Sequence, residues 1–271
     1  MTPPERPTTP QRRYFPGPVP RALAHRGLAL QGEENTLAAF RAAIRAGAHV
    51  IETDTRASAD GVALTFHDAM TGRVCAEDLE VATTRAATLT RMPVGQSFAD
   101  DARITRLDDA LAALPTALFN IDVKDARAIE PTIEAIARAG AEARVCLTSF
   151  SPAIAREASR ALAARTGHVP VRSASADTVA LFRLAVSAGA PDVAVRRLLS
   201  PFAALQIPVA HRGIPLVSPR TIAAAHRAGC EIHVWTIDEA PHMRALIEMG
   251  VDGIVTNRVD VLADVCARAW E

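Results

Sequence analysis

The chain predicts an α/β fold, a (β/α)8 TIM barrel with a small insertion after the third strand, and three observations carry that reading. Short apolar runs alternate with amphipathic helical segments along the whole sequence. No Gly-x-Gly-x-x-Gly opens any of those helices, so a dinucleotide-binding fold is not indicated. Acids, histidines and the only lysine stand at the ends of several strand-like runs, where barrels of this kind place their chemistry. At 271 residues one barrel accounts for the chain. Residues 1–20 read as a proline-rich, extended tail, and residues 21–271 as one domain with its insertion at about 69–105.

The first strand is Ala22-Leu23-Ala24, ending in His25-Arg26-Gly27. Asn35 or Thr36 caps a helix whose apolar face is Leu37, Phe40 and Ile44 and which stops at Gly47. Val50 to Thr55 is the second strand. Glu52 and Asp54, two apart, share one face of it, while Ile51, Thr53 and Thr55 take the other. Asp60-Gly61 marks a turn, and Val62 to Phe66 reads as a buried third strand that delivers His67-Asp68. After the insertion, a helix over Leu107 to Leu114 closes at Pro115. The strand Ala117 to Lys124 then shows Asn120, Asp122 and Lys124 on one face and Phe119, Ile121 and Val123 on the other. Helices follow over 126–140, 152–166, 177–188, 219–229, 240–250 and from Val259. Between them lie strands over 144–150, 168–173, 205–210, 232–237 and 252–256. That is nine runs for eight places, and Leu205 to Ala210 is assigned as the accessory one.

Composition narrows the function. Thirty basic and thirty acidic residues leave no net charge, which argues against a nucleic-acid binder. No apolar run approaches the roughly 20 residues of a membrane span, and the first residues lack the apolar core of a signal peptide. Cys75, Cys146, Cys230 and Cys266 are far apart with no Cys-x-x-Cys, consistent with thiols in a cytoplasmic protein. Of the thirty basic residues only Lys124 is lysine; where arginine serves everywhere else, a compact ammonium marks a place of its own.

The strand ends therefore gather His25, Arg26, Glu52, Asp54, His67, Asp122, Lys124 and, late in the chain, Trp235. A lone Glu-x-Asp is common, and its weight comes from this company. Clustered carboxylates repel unless a cation lies among them; oxygen donors without Cys or His select a hard ion, Mg²⁺ or Ca²⁺, over a structural zinc. Arginine and lysine suit a phosphate beside that ion. Two histidines, a side chain whose free pKa lies near neutral, can move protons on either side of phosphorus. The constellation describes a metal-assisted phosphodiesterase.

The motifs HRG (25–27), ENT (34–36), IETD (51–54), DGV (60–62), HD (67–68), NIDVK (120–124), SF (149–150), VWTID (234–238) and GVDGIVTNR (250–258) resemble the glycerophosphodiester phosphodiesterases, from about Leu23 to Asp260. The resemblance implies hydrolysis of a small glycerophosphodiester to sn-glycerol 3-phosphate and an alcohol. It implies one divalent cation on Glu52, Asp54 and Asp122, and His25 and His67 as the acid/base pair. Arg26 and Lys124 are implied to contact the phosphate, Asn35 to position substrate and Trp235 to line the pocket. Three positions depart from the family pattern: Asp122 stands where glutamate is usual, Glu33 where proline is common, and the stretch after His67-Asp68 is abbreviated. A lipid-active alternative, lysophospholipase D-like or a phospholipase at a membrane surface, calls for an exposed apolar or basic rim. Met92, Val94 and Phe98 are the only clustered apolar residues in the insertion. His211-Arg212-Gly213 reads as a loop outside the site, and Asp68 as a residue that orients His67.

Overall fold

A computed structural model describes Phe15 and residues 19–97 and 99–269. The proline-rich tail thus lies mostly outside the described residues, as does Phe98. Eight parallel strands form the barrel: β1 (Arg21–His25), β2 (Val50–Ala57), β5 (Leu118–Val123), β6 (Val145–Thr148), β7 (Val171–Arg172), β8 (Ala204–Ile207), β11 (Glu231–Val234) and β12 (Gly253–Thr256). β12 returns to β1 in register Arg21↔Gly253. The seam between β7 and β8 closes through a parallel bridge Ser173↔Ala204.

The helices α1 (Leu37–Arg45), α3 (Leu107–Ala113), α4 (Ile129–Arg138), α5 (Pro152–Thr166), α6 (Ala176–Ser187), α7 (Asp192–Leu199), α8 (Pro219–Arg227), α9 (Ala240–Met249) and α10 (Val259–Ala269) form the outer layer. Thr36 caps α1, its side chain accepting from the Ala39 amide. The helix α7 is absent from the sequence reading, because only Val195 and Leu199 give it a buried stripe. Strand alternation separates two cores. Ile51, Phe119, Ile121 and Val123 point outward to pack beneath the helices with Phe40. Leu23, Val50, Cys146, Val171, Ala204 and Val255 fill the barrel interior, with Phe15 from the tail packed against them.

Two strand assignments are corrected. The accessory strand is not Leu205 to Ala210, since β8 is a full barrel member between β7 and β11. It is β3 (Ala63–Thr65), which folds back antiparallel on β2 with Thr55↔Thr65 and Ala57↔Ala63 in register. The physical reason lies in the connection: the short turn through Asp60-Gly61 can reverse the chain once, whereas a parallel neighbour needs a crossover of about a dozen residues or more. The insertion therefore follows β2 and its hairpin. It contains the short helix α2 (Ala86–Leu89), and its last strand, β4 (Thr105–Arg106), pairs with β3. It has its own small core, in which Met92 and Val94 are buried with Leu64, Phe66, Leu89 and Ile104. After β8 a second hairpin, β9 (Ala210–His211) with β10 (Ile214–Pro215), stands over the same end of the barrel. No described helix is long and apolar enough to cross a membrane.

Candidate active site

The C-terminal ends of the strands open into a cavity of about 570 Å³ lined by His25, Arg26, Glu52, Asp54, His67, Asp122, Lys124 and Trp235 among others. Eight of the nine predicted site residues thus share one space. Ladder register explains the convergence: Glu52 pairs with His25 on one side and Asn120 on the other, and Asp54 lies opposite Asp122. Closure of the sheet brings these strand ends to one mouth. His67 reaches the same mouth from the hairpin, and the Arg56 guanidinium fixes it there, its Nε donating to the His67 carbonyl at 2.7 Å.

Asn35, expected to position substrate, is instead buried under the acids. Its Nδ2 donates to Asp54 Oδ2 at 2.9 Å, and its Oδ1 accepts from Thr53 Oγ1 at 2.7 Å. It orients a carboxylate and does not line the cavity. Arg26 and Asn35 both sit in the left-handed region, at φ 58° and 59°, a conformation that asparagine tolerates and arginine seldom adopts, and one concentrated at functional sites. Between them, Gly27 is required sterically: a Cβ there would lie 2.7 Å from the Ala39 backbone. The turn lets the Arg26 amide donate to the Glu52 carbonyl at 2.9 Å and its carboxylate at 3.1 Å.

Each histidine is oriented by a partner on Nδ1. His67 Nδ1 donates to Asp68 at 2.7 Å. His25 Nδ1 lies 2.7 Å from Asn257 Oδ1. The Asn257 amide is turned that way because its Nδ2 donates to Asp238. Both rings therefore keep Nε2 for another partner. Asp238 and Asn257 belong to the VWTID and GVDGIVTNR segments, but spacing gave no sign that they converge on His25. Arg73, from the abbreviated stretch, was also missed. It donates to Asp68 and, through two nitrogens, to Glu34, which in turn accepts from Arg26 Nη1 at 2.9 Å. One chain of contacts thus ties His67 to Arg26. His211, read as outside the site, lines the cavity wall, because the β9–β10 hairpin folds over the mouth.

Lys124 Nζ bridges Asp54 Oδ1 at 2.7 Å and Asp122 Oδ2 at 2.5 Å. Burial raises the Asp122 carboxyl in spite of that ammonium. Burial works against ionisation of Asp54 too, yet Lys124 and Arg26 hold it below its usual value. Glu52 is pushed well above the ordinary range by burial and then by the charges of Asp54 and Asp122. The acids outnumber the cations near them, and Asp122 Oδ1 is buried without a hydrogen-bond partner. Among the described residues no three acid, histidine or cysteine side chains already converge on a point as a finished metal cage. The hard oxygen donors, the orphaned Oδ1 and the raised Glu52 nonetheless fit a divalent cation. His25 is lowered from 6.5 by burial and by Arg26, against the pull of Asn257.

The chain resembles known proteins over most of its length. The model of the glycerophosphoryl diester phosphodiesterase family matches residues 25–261. A probable glycerophosphodiester phosphodiesterase 2 of Mycobacterium tuberculosis is 37% identical over 253 residues, covering 90% of this chain and 89% of that protein. The crystal structure of a glycerophosphodiester phosphodiesterase from Agrobacterium tumefaciens superposes with a TM-score of 0.69 at 26% identity, over 92% of this chain and all of the other. An Oleispira antarctica phosphodiesterase, solved with the product sn-glycerol 3-phosphate, shares the fold with a TM-score of 0.71 at 20% identity, over 92% and 97% of the two chains.

Proposed function

Because this chain belongs to the glycerophosphoryl diester phosphodiesterase family, we propose that it releases sn-glycerol 3-phosphate and an alcohol from a glycerophosphodiester, with His25 and His67 as its acid/base pair. The observation that carries the reading is the pair of imidazoles lining one cavity, each tied at Nδ1 and each with Nε2 available. His25, kept below the ordinary histidine range, is neutral at neutral pH and accepts a proton from the attacking water, whose oxygen ends on the glycerol 3-phosphate. His67, its Nδ1–H held by Asp68, donates from Nε2 to the leaving oxygen. Arg26 and Lys124 place positive charge beside the phosphoryl oxygens. Glu52, Asp54 and Asp122 would hold one divalent cation, Mg²⁺ or Ca²⁺, which would supply Lewis-acid stabilisation of phosphoryl charge. Cytoplasmic residence belongs to the same proposal and is supported by four cysteines that are thiols rather than disulfides; fractionation of the native cells checks it.

The test is release of glycerol 3-phosphate from glycerophosphocholine and glycerophosphoethanolamine, with chelator, with Mg²⁺ or Ca²⁺ restored, and with His67→Ala. Release that depends on metal and disappears in the variant is the expected result. Cleavage of lysophospholipids alone would replace this reading with the lipid-surface one, and silence on both would remove the catalytic assignment.

A further inference from the structure

We propose that Thr65 is a positioning residue for the divalent cation, an inference that rests on the metal reading above. Its hydroxyl, carried in on the accessory hairpin, locks Asn35 so that the Asn35 amide holds the Asp54 carboxylate in place. The run Val62-Ala63-Leu64-Thr65-Phe66 is apolar except for that one hydroxyl. Thr65 is fully buried, where a hydroxyl is costly without a hydrogen bond and a valine of nearly the same shape would need no partner. The partner is specific: Thr65 Oγ1 donates to the Asn35 carbonyl at 2.7 Å and lies 3.1 Å from the Thr105 carbonyl.

Asn35 is thereby held at each of its polar atoms. Its backbone N–H donates to the Arg26 carbonyl at 2.9 Å, its carbonyl accepts from Thr65, its Oδ1 accepts from Thr53 and its Nδ2 donates to Asp54 Oδ2. Such a fully satisfied buried network fixes a left-handed residue in one orientation. The hairpin grips Asp54 directly as well, because the Phe66 amide donates to the Asp54 carbonyl at 3.0 Å. Lys124 and Arg26 lie 2.7 and 3.1 Å from the Asp54 carboxylate, but both line the cavity and are the cations assigned to phosphate. Asn35 is the partner that does not face the cavity, and a hydrogen-bond partner behind a metal-binding carboxylate sets its aim. Thr65 acts one bond further out, through Asn35.

The experiment titrates metal-free protein with Ca²⁺ or Mg²⁺ alone in a calorimeter and follows glycerol 3-phosphate release across the same metal concentrations. Asn35→Ala should weaken binding of the ion about 10- to 100-fold. Thr65→Val should weaken it roughly three- to tenfold, the share of one buried hydrogen bond, with kcat recovered at saturating metal. Thr65→Ser, which keeps the hydroxyl, should stay within about twofold of wild type. Added to Asn35→Ala, Thr65→Val should weaken binding no further, since its route is gone. Thr53→Val removes another hydroxyl from Asn35 and should move affinity in the same direction. A lowered melting temperature with unchanged affinity in both valine variants overturns the positioning role. Additive losses in the double variant overturn the route through Asn35. Wild type that takes up neither ion overturns the metal assignment and this inference with it. Wild type and variants that bind in the expected order but release no glycerol 3-phosphate support the positioning role and overturn the activity.

Discussion

The two ends of the barrel carry similar residues under different conditions. At the base, Arg21 pairs with Glu231 at 3.0 Å, and His233 Nε2 donates to the same carboxylate at 3.0 Å. Phe15 closes over His233 edge to face at 4.9 Å, and a Cβ on Gly253 would meet the His233 ring at 2.7 Å. His233 is fully buried. There one buried carboxylate, that of Glu231, takes both a guanidinium and an imidazole in a packed space. At the mouth, three carboxylates share Lys124 and Arg26, one acid oxygen lacks a partner, and the space is open. Histidine, acid and cation therefore do not make a site by themselves; surplus negative charge facing an open cavity does.

The sharpest break in that comparison is His67→Ala against His233→Ala. The first should cut kcat/KM by about 10²- to 10⁴-fold with an unchanged melting temperature. The second should cost stability while the folded fraction keeps its turnover. Activity assays paired with thermal unfolding decide between them.

Next in size is Glu231→Gln, which removes the buried carboxylate that Arg21 and His233 share. It should cost roughly 3 kcal/mol, on the order of 10 °C in Tm. Burial opposes ionisation of Glu231, but His233 and Arg21 hold its carboxyl below 4.5. Its contribution is therefore complete above that value and is lost as pH falls through the lower folded-state value. Urea unfolding across acidic pH should show a stability slope that is shallower in the glutamine variant by the share of this one carboxyl.

Arg73→Ala should have a smaller effect, a few-fold loss in kcat/KM from about 1 kcal/mol of lost positioning, because Arg73 is half exposed and screened by salt. Arg73→Lys should recover part of it, and raising the salt should narrow the gap between variant and wild type. The smallest expected change is in the pH–rate profile. Its acidic limb should lie below 6.5, since His25 is held low, and Asn257→Ala should move it lower still by removing the hydrogen bond that raises His25.

Much of this was legible before any coordinates. The spacing of Glu52 and Asp54, the polar face of Asn120, Asp122 and Lys124, and the family motifs all named residues that line the cavity. What stayed hidden depends on contacts between distant segments. Asn35 sits in a quoted motif, yet nothing local says that it turns under Asp54. The Asp238–Asn257–His25 relay joins residues up to 232 apart in the chain. His211 looked like loop because a hairpin's position over a mouth is not encoded by its own turn.

The sequence by itself determined which polar residues share the strand faces that end at the cavity, because alternation along a strand fixes which side chains share a face however the sheet is later closed. It also determined the helical layer, through apolar stripes that must be buried. Only the tertiary structure decided which run was accessory, which polar residues support others from beneath, and which of two charged clusters is sealed. Those outcomes follow from strand direction, ladder register and burial, and these exist only once the ends of the sheet meet.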